Sequence, residues 1–411
     1  METETSVARP LMSIEDAVAR VERHLPIRDL EQIELSEAIG RVLAQDVSAP
    51  FAVPSHDNSA MDGYAFQFSD LPADGRMSVS GRIAAGHPLR GMLQHGTAVR
   101  IFTGGAIPDG ADTVAMQEDC LEKDGVVVLP RDVKLGANKR FAGEDVTQNT
   151  TVLAQGVRLR PQDIGIAAAL GRATLMVYRR LKVGVLATGD ELRAPGEVLP
   201  TGCIYDTNRH TIAAALRALG AEVTDYGLIP DQMSIIRDAL TIAAGDNDLV
   251  ISSGGVSIGE EDHVRPAVEE IGSLDFWKLA LKPGKPAAMG EVVGVPFVGL
   301  PGNPVSAMVT FWLIARPLVL RLMGATDIRV PRFPVISTFR HRHNRGRREF
   351  LRVRVNTDAN GLMHAETHPS TSSGVLSSLV WSDGLLEIHE EVGDVNVGDV
   401  LSYLPYCGFY N

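Results

Sequence analysis

The chain has 411 residues, 45% of them hydrophobic, with 39 Lys and Arg against 51 Asp and Glu, a formal net charge of −12. That length exceeds one compact core and implies about two to four domains. The acidic balance argues against general affinity for nucleic acid or an anionic membrane. Cys120, Cys203 and Cys407 are far apart with no C-x-x-C spacing, which speaks against a disulfide framework or a thiolate zinc site and for a reducing cytosol.

In chain order, the start "METETSVARPLMSIEDA" lacks the basic and apolar parts of a signal peptide. Ser13 to Asp16 has capping-box form, and Ala17, Val21 and Leu25 follow at helical spacing. A second short helix is expected through "LSEAIGRVLAQDV". From Phe51 to about Thr150, short β-like runs alternate with Gly and Pro turns, the texture of a small all-β module. "PQDIGIAAALG" returns to helix, so the pattern predicts one split helical domain, residues 10–48 plus 148–178, with a β domain, 49–147, inserted in it.

From Lys182 the pattern is clearest. "KVGVLATG", "EVTDYGLI" and "DLVISSGG" read as strands separated by the helices "RHTIAAALRALG" and "DQMSIIRDALTIAAG". A further helix ("HVRPAVEEIG"), two strands ("FWKLALKPG", "VPFVGLPG") and a long helix from Asn303 complete a doubly wound, mostly parallel α/β domain over 179–328. That last helix is apolar but interrupted by Arg316, Pro317 and Arg321, so it reads as a buried core helix rather than a membrane span. Residues 329–411 return to short strands and turns, a small C-terminal β domain.

Ligands of open α/β sheets bind at the carboxyl ends of the strands. Those ends here carry "TGDEL", the turn around Asp231, "SGGVSIGEED", "KPGKP" and "LPGNPVSA". One glycine-rich turn serves close packing as readily as phosphate binding, but five along one edge point to a site. Backbone N–H groups of Ser253, Gly254, Gly255 and Ser257 suit phosphate oxygens. Glu191, Asp231 and Asp262 are candidate Mg²⁺ ligands, and Lys282 and Lys285 offer charge to a second anion. Asn303 and Pro304 open a helix as N-cap and first residue, with Ser306 in its first turn. In the β module, "PSHDNSAMDGYAF" (with Asp62), Thr103 and "AGEDV" (with Asp145) fit Asx-type turns as well as a site. The basic run "FRHRHNRGRREF" suits a solvated hairpin or the wall of an anion pocket, and as a nucleic-acid patch it is too short, lacks spaced aromatics for base stacking and sits on an acidic protein.

Taken together and in order, "DNSAMDGYA", "TGGAIPDGADTV", "GED", "TGDEL", "YDTN", "SGGVSIGEED", "KPGKP" and "LPGNPVSA" resemble the molybdopterin molybdenumtransferase (MoeA) family, to which the C-terminal domain of gephyrin also belongs. The resemblance runs from about Leu11 to the C-terminus. It implies a split helical domain with an inserted β module, a molybdopterin-binding α/β domain and a C-terminal β barrel. It further implies a cytoplasmic homodimer that inserts molybdate into adenylylated molybdopterin with Mg²⁺ and releases AMP. By the same resemblance Asp62, Thr103 and Asp145 reach the cleft from the partner subunit, and Asp62 and Asp145 join Glu191 and Asp262 as catalytic candidates. Substrate contacts are implied for Lys278, Lys282, Lys285, Pro301, Asn303, Pro304, Ser306, Arg352 and Ser373. A molybdopterin adenylyltransferase and acceptor molybdoenzymes are implied protein partners. Gln232 stands where many relatives carry a second acid, which weakens Asp231 as a metal ligand. The rival functions are a molybdopterin adenylyltransferase, resembling the α/β domain alone, and a non-enzymatic gephyrin-like scaffold.

Overall fold

The structure, a computed structural model, describes residues 11–255 and 263–410. A six-stranded sheet forms its centre, in the order Glu222–Ile229, Lys182–Thr188, Leu249–Ser253, Val295–Leu300, Pro286–Val292, Gly272–Lys278. The first four strands run parallel and the last two are antiparallel additions. The inner strands are almost wholly buried, as sheets covered on both faces require. Met233–Asp246 and Val264–Ile271 cover one face through Ile236, Leu240, Ala267 and Val268. Asn208–Leu219 and the continuous helix Pro304–Leu322 cover the other. That last helix is long and apolar enough to cross a membrane, but 94% of its most apolar window is buried in protein. It is a core helix, and Trp312 within it stacks on Tyr406 and Phe409 at 4.8 and 4.9 Å.

Two pairs of strands distant in sequence close the first unit. Leu30–Glu34 pairs with Thr174–Tyr178, and Val47–Ser48 with Thr151–Leu153. The intervening residues hold their own six-stranded sheet, built on Gly63–Phe66 between Thr97–Ile101 and Thr113–Met116. At the C-terminus, Arg348–Thr357, Met363–Thr367, Phe333–Ser337, Val400–Pro405 and Gly384–Ile388 pair in a closed circuit, a five-stranded barrel, with Leu281–Lys282 added alongside.

Two local expectations are corrected. The first helix is Ile14–Val21, capped by the Ser13 side chain accepting from the Asp16 N–H at 3.0 Å. It ends before Leu25, which is 69% exposed. No second helix runs through residues 35–47: one 3-10 turn, Leu35–Glu37, is followed by a turn at Ile39–Gly40 and by short bridged and bent segments. Gly40 stands at φ +72°, which stops a helix, and Val42 and Leu43 bridge to Arg158 and Val177 instead. Tertiary strand pairing outweighs the local helical pattern there.

Candidate active site

The parallel strands switch direction of progression at Lys182–Thr188, whose neighbours are the second strand on one side and the third on the other. Helices leaving such a point diverge and open a crevice. A cleft of about 740 Å³ lies there, lined by the strand ends Thr188–Gly189 and Ser253–Gly255, by Pro301–Pro304, and by Asp206 and Asn208. The glycines are required by close approach. A Cβ at Gly254 (φ +89°) would lie 2.4 Å from the Thr188 carbonyl oxygen. One at Gly255 (φ +63°) would lie 2.3 Å from Val264 Cγ2 and 2.9 Å from Thr188 Oγ1.

Electrostatically the cleft is one-sided. Glu191, Asp206 and Asp231 line it, and no lysine or arginine does among its described residues. Asp206 is buried and accepts from Arg209 through its backbone N–H and its guanidinium Nε, at 3.2 and 2.8 Å. Burial opposes charge on Arg209, yet bonds to Asp225 and Asp206 hold it above its ordinary range. Thr188 Oγ1 is buried without a hydrogen-bond partner among the described residues, a state that costs free energy unless a ligand or water completes it. No group of three or more His, Cys, Asp and Glu side chains among the described residues forms a ready-made metal cage. The oxygen-only donors fit Mg²⁺ nonetheless, because that ion keeps several waters and takes one or two carboxylates plus substrate phosphates.

The expected site residues divide into two groups. Glu191, Asp231, Ser253, Gly254, Gly255, Pro301, Asn303, Pro304 and Ser306 come together on the cleft, while Ser257 and Asp262 lie outside the described residues. Asn303 holds the N-cap position without a side-chain capping bond. The Val305 N–H in that turn donates to the Ser373 carbonyl at 3.0 Å, which brings Gly374 and Leu376 to the rim.

Lys278, Lys282, Lys285, Arg352 and Ser373 are not among the cleft-lining residues. Lys282 instead makes an ion pair with Glu349 at 2.8 Å, and His341 lies 3.2 Å from the other carboxylate oxygen. Arg352 is engaged within the protein. It is buried, and its guanidinium donates to Ser378 Oγ and to the carbonyls of Ser370 and Ser372, at 3.1, 2.9 and 3.3 Å. It therefore shapes the loop ahead of Ser373. The basic run likewise does not line the cleft, so the anion-pocket alternative finds no support there.

In the β module, the Thr103 N–H and hydroxyl both donate to Asp62 Oδ1 at 2.8 Å, and these two bonds hold the Asp62 carboxyl below its ordinary range. Asp145 lines a separate shallow cleft with Asn58 and Arg140. Residues 49–147 contribute nothing to the main cleft of their own chain. Thr188, Asp206 and Asn208 are lining residues that sequence patterning left without a role, although "YDTN" contains two of them.

Residues 12–171 match the MoeA N-terminal region (domain I and II), 184–321 a probable molybdopterin binding domain, and 334–406 the MoeA C-terminal region (domain IV). The chain is 40% identical to the molybdopterin molybdenumtransferase of Haemophilus influenzae over 399 residues, 96% of this chain and 99% of that one. The chain belongs to the molybdopterin molybdenumtransferase (MoeA) family. A solved family structure, a molybdopterin biosynthesis MoeA protein from Pyrococcus horikoshii OT3, superposes with a TM-score of 0.82 at 30% identity, covering 96% of this chain and all of that one. Gephyrin of Dictyostelium discoideum is 28% identical over 91% of this chain, which spans 59% of gephyrin. Family membership accounts for the multidomain α/β architecture with its closed C-terminal barrel.

Proposed function

We propose that this chain is a molybdopterin molybdenumtransferase, inserting molybdate into adenylylated molybdopterin as AMP leaves. The observation that carries the cleft into this reading is its charge: the carboxylates of Glu191 and Asp231, in addition to an Asp206 already paired with Arg209, and no basic side chain among its described lining residues, beside a strand end where two successive positions accommodate only glycine. A phosphorylated substrate enters such a cleft when a divalent cation accompanies it. Glu191 and Asp231, with Asp262, would hold Mg²⁺, which would withdraw charge from the phosphoanhydride. The turn Ser253–Gly255 offers backbone N–H groups to phosphate oxygens, and Ser306 offers a hydroxyl at the start of the core helix. Glu349 holds Lys282 beside the barrel through an ion pair, where it is a candidate for molybdate together with Lys278 and Lys285.

In this reading Asp62, Thr103 and Asp145 complete the cleft from a second copy of the chain in a homodimer. The rigid Asp62–Thr103 pair is what such a contribution calls for. The setting is the cytoplasm, with a molybdopterin adenylyltransferase upstream and molybdoenzymes downstream as partners.

The test is to supply purified protein with adenylylated molybdopterin, Mg²⁺ and molybdate, omitting each in turn while following AMP. Release should require both metal and molybdate; a rate indifferent to molybdate would defeat the insertion step. Mixing an Asp62→Ala chain with a Glu191→Gln chain should restore part of the activity if the cleft is shared between subunits.

A further inference from the structure

We infer that Asn208 is a positioning residue that sets the geometry of two ligand-facing turns at once. This rests on the reading that the cleft takes a nucleotide. Asn208 begins the helix Asn208–Leu219, is buried, and lines the cleft. Its Nδ2 donates to Ser253 Oγ at 2.9 Å and to the Gly302 carbonyl at 2.7 Å, with the Pro301 carbonyl at 3.4 Å. Carbonyl oxygens only accept, so the orientation of the amide is forced. One planar group thus joins the end of the Leu249–Ser253 strand to the turn that opens the core helix.

The two turns leave adjacent parallel strands that pair as far as Ser253 and Leu300, and the Gly254 N–H donates to the Leu300 carbonyl at 3.1 Å. Past that last pair the chains separate, and the Asn208 amide spans the gap between them. Behind Asn208, Asp206 is locked by Arg209, so the anchor itself is rigid. Asn208 Oδ1 accepts no hydrogen bond from the described residues, and it is available to a ligand hydroxyl, an amine or a metal-bound water. An aspartate at this position would keep the shape and lose both donors, facing two carbonyls with a carboxylate.

The physical consequence is a split between stability and function. Gly302 is exposed, so water can take over its carbonyl when the amide is lost, and the fold suffers little. The relative placement of the two turns suffers more, because water is not a fixed strut.

The experiment uses the full chain with Mg²⁺ and AMP as the probe, in the wild type, Asn208→Asp, Asn208→Ala and Asn208→His. The neutral alanine guards against a fold lost to buried charge, and histidine restores a donor at similar reach. The Asp and Ala variants should weaken AMP binding about tenfold or more and raise KM in the AMP-release assay while kcat stays within about threefold. Histidine should recover most of the loss. Hydrogen exchange in peptides spanning 249–255 and 300–306 should quicken together in the Asp and Ala variants. AMP affinity within about threefold of wild type in both variants, or faster exchange in one turn alone, would overturn the assignment. If the wild type binds no AMP, the nucleotide reading fails, and the paired exchange rates still decide whether Asn208 couples the turns.

Discussion

The α/β cleft and the walls of the C-terminal barrel both gather charged and polar side chains, and they treat them in opposite ways. Around the barrel, buried Glu387 receives Arg332 at 2.7 Å and Arg348 at 3.2 Å, Glu349 meets Lys282 and His341, and Arg352 is absorbed by serine hydroxyl and carbonyl oxygens. At the cleft, Thr188 Oγ1 is buried with no partner among the described residues, and Glu191 stands exposed beside strand ends that tolerate no side chain. Charge neutralised within the protein supports architecture; polar groups left incomplete at a concave strand edge await a ligand. The distinction depends on partners, which residue type alone does not reveal.

The largest effect should come from the incomplete side. Glu191→Gln should lower kcat/KM for AMP release about a hundredfold by weakening metal retention. Because the side chain is exposed, folding stability should hold within about 0.5 kcal/mol. Raising Mg²⁺ should recover part of the activity. Activity within threefold of wild type at every Mg²⁺ concentration would place the metal elsewhere and undo the contrast.

Gly255→Ala probes the same edge through its backbone. At φ +63°, with Val264 Cγ2 2.3 Å from the new methyl, the turn must shift. We expect a stability loss of about 1–3 kcal/mol and nucleotide affinity reduced about tenfold. A variant as stable and as tightly binding as wild type would show that the turn has slack.

Much of this edge was legible in the sequence, for a physical reason. Parallel strands buried on both faces write unbroken apolar runs, and the loops that follow them must carry the ligand chemistry. "KVGVLATG" and "DLVISSGG" therefore located both the sheet and the cleft. Residues 35–47 were misread because Val42 and Leu43 owe their extended form to strands more than a hundred residues away. Pro286–Val292 escaped notice because an antiparallel addition carries no βα signal. For Arg352 the family resemblance implies a substrate contact, and sequence cannot tell whether an arginine's hydrogen bonds are free or, as here, engaged within the protein. Asn208 was overlooked for the converse reason: its importance lies in bonds to Ser253 and Gly302, which no local pattern announces.

Arg352→Met tests the satisfied side. Removing the guanidinium leaves the Ser370 and Ser372 carbonyls without their donor, so we expect a stability loss of about 1–3 kcal/mol. KM for molybdate should change by less than about threefold, since the side chain does not line the cleft. A large rise in molybdate KM at unchanged stability would return Arg352 to the ligand set and blur the difference between the two regions.

The smallest effect should be a change in acid sensitivity, and it follows from Glu349. Burial pushes this carboxyl up, but the contacts with His341 and Lys282 outweigh it and hold its pKa below the ordinary range. A carboxyl depressed on folding binds fewer protons folded than unfolded. It therefore contributes stability that is fully present above the unfolded pKa, about 4.3, and is lost as pH falls through the lower folded value. Asp248, depressed despite burial by its bonds with Arg179 and the Lys182 N–H, loses stability in the same window, so wild type alone cannot isolate either group. Glu349→Gln can. It should be less stable than wild type at neutral pH, because Lys282 loses its counter-charge and His341 its carboxylate contact. Once pH falls below the depressed folded pKa the two proteins should converge, since protonated Glu349 and glutamine are then both neutral. Urea melts across this range would measure the gap. A gap constant with pH would mean that Glu349 acts through shape rather than charge, and that the barrel's ion pairs are not what separates it from the cleft.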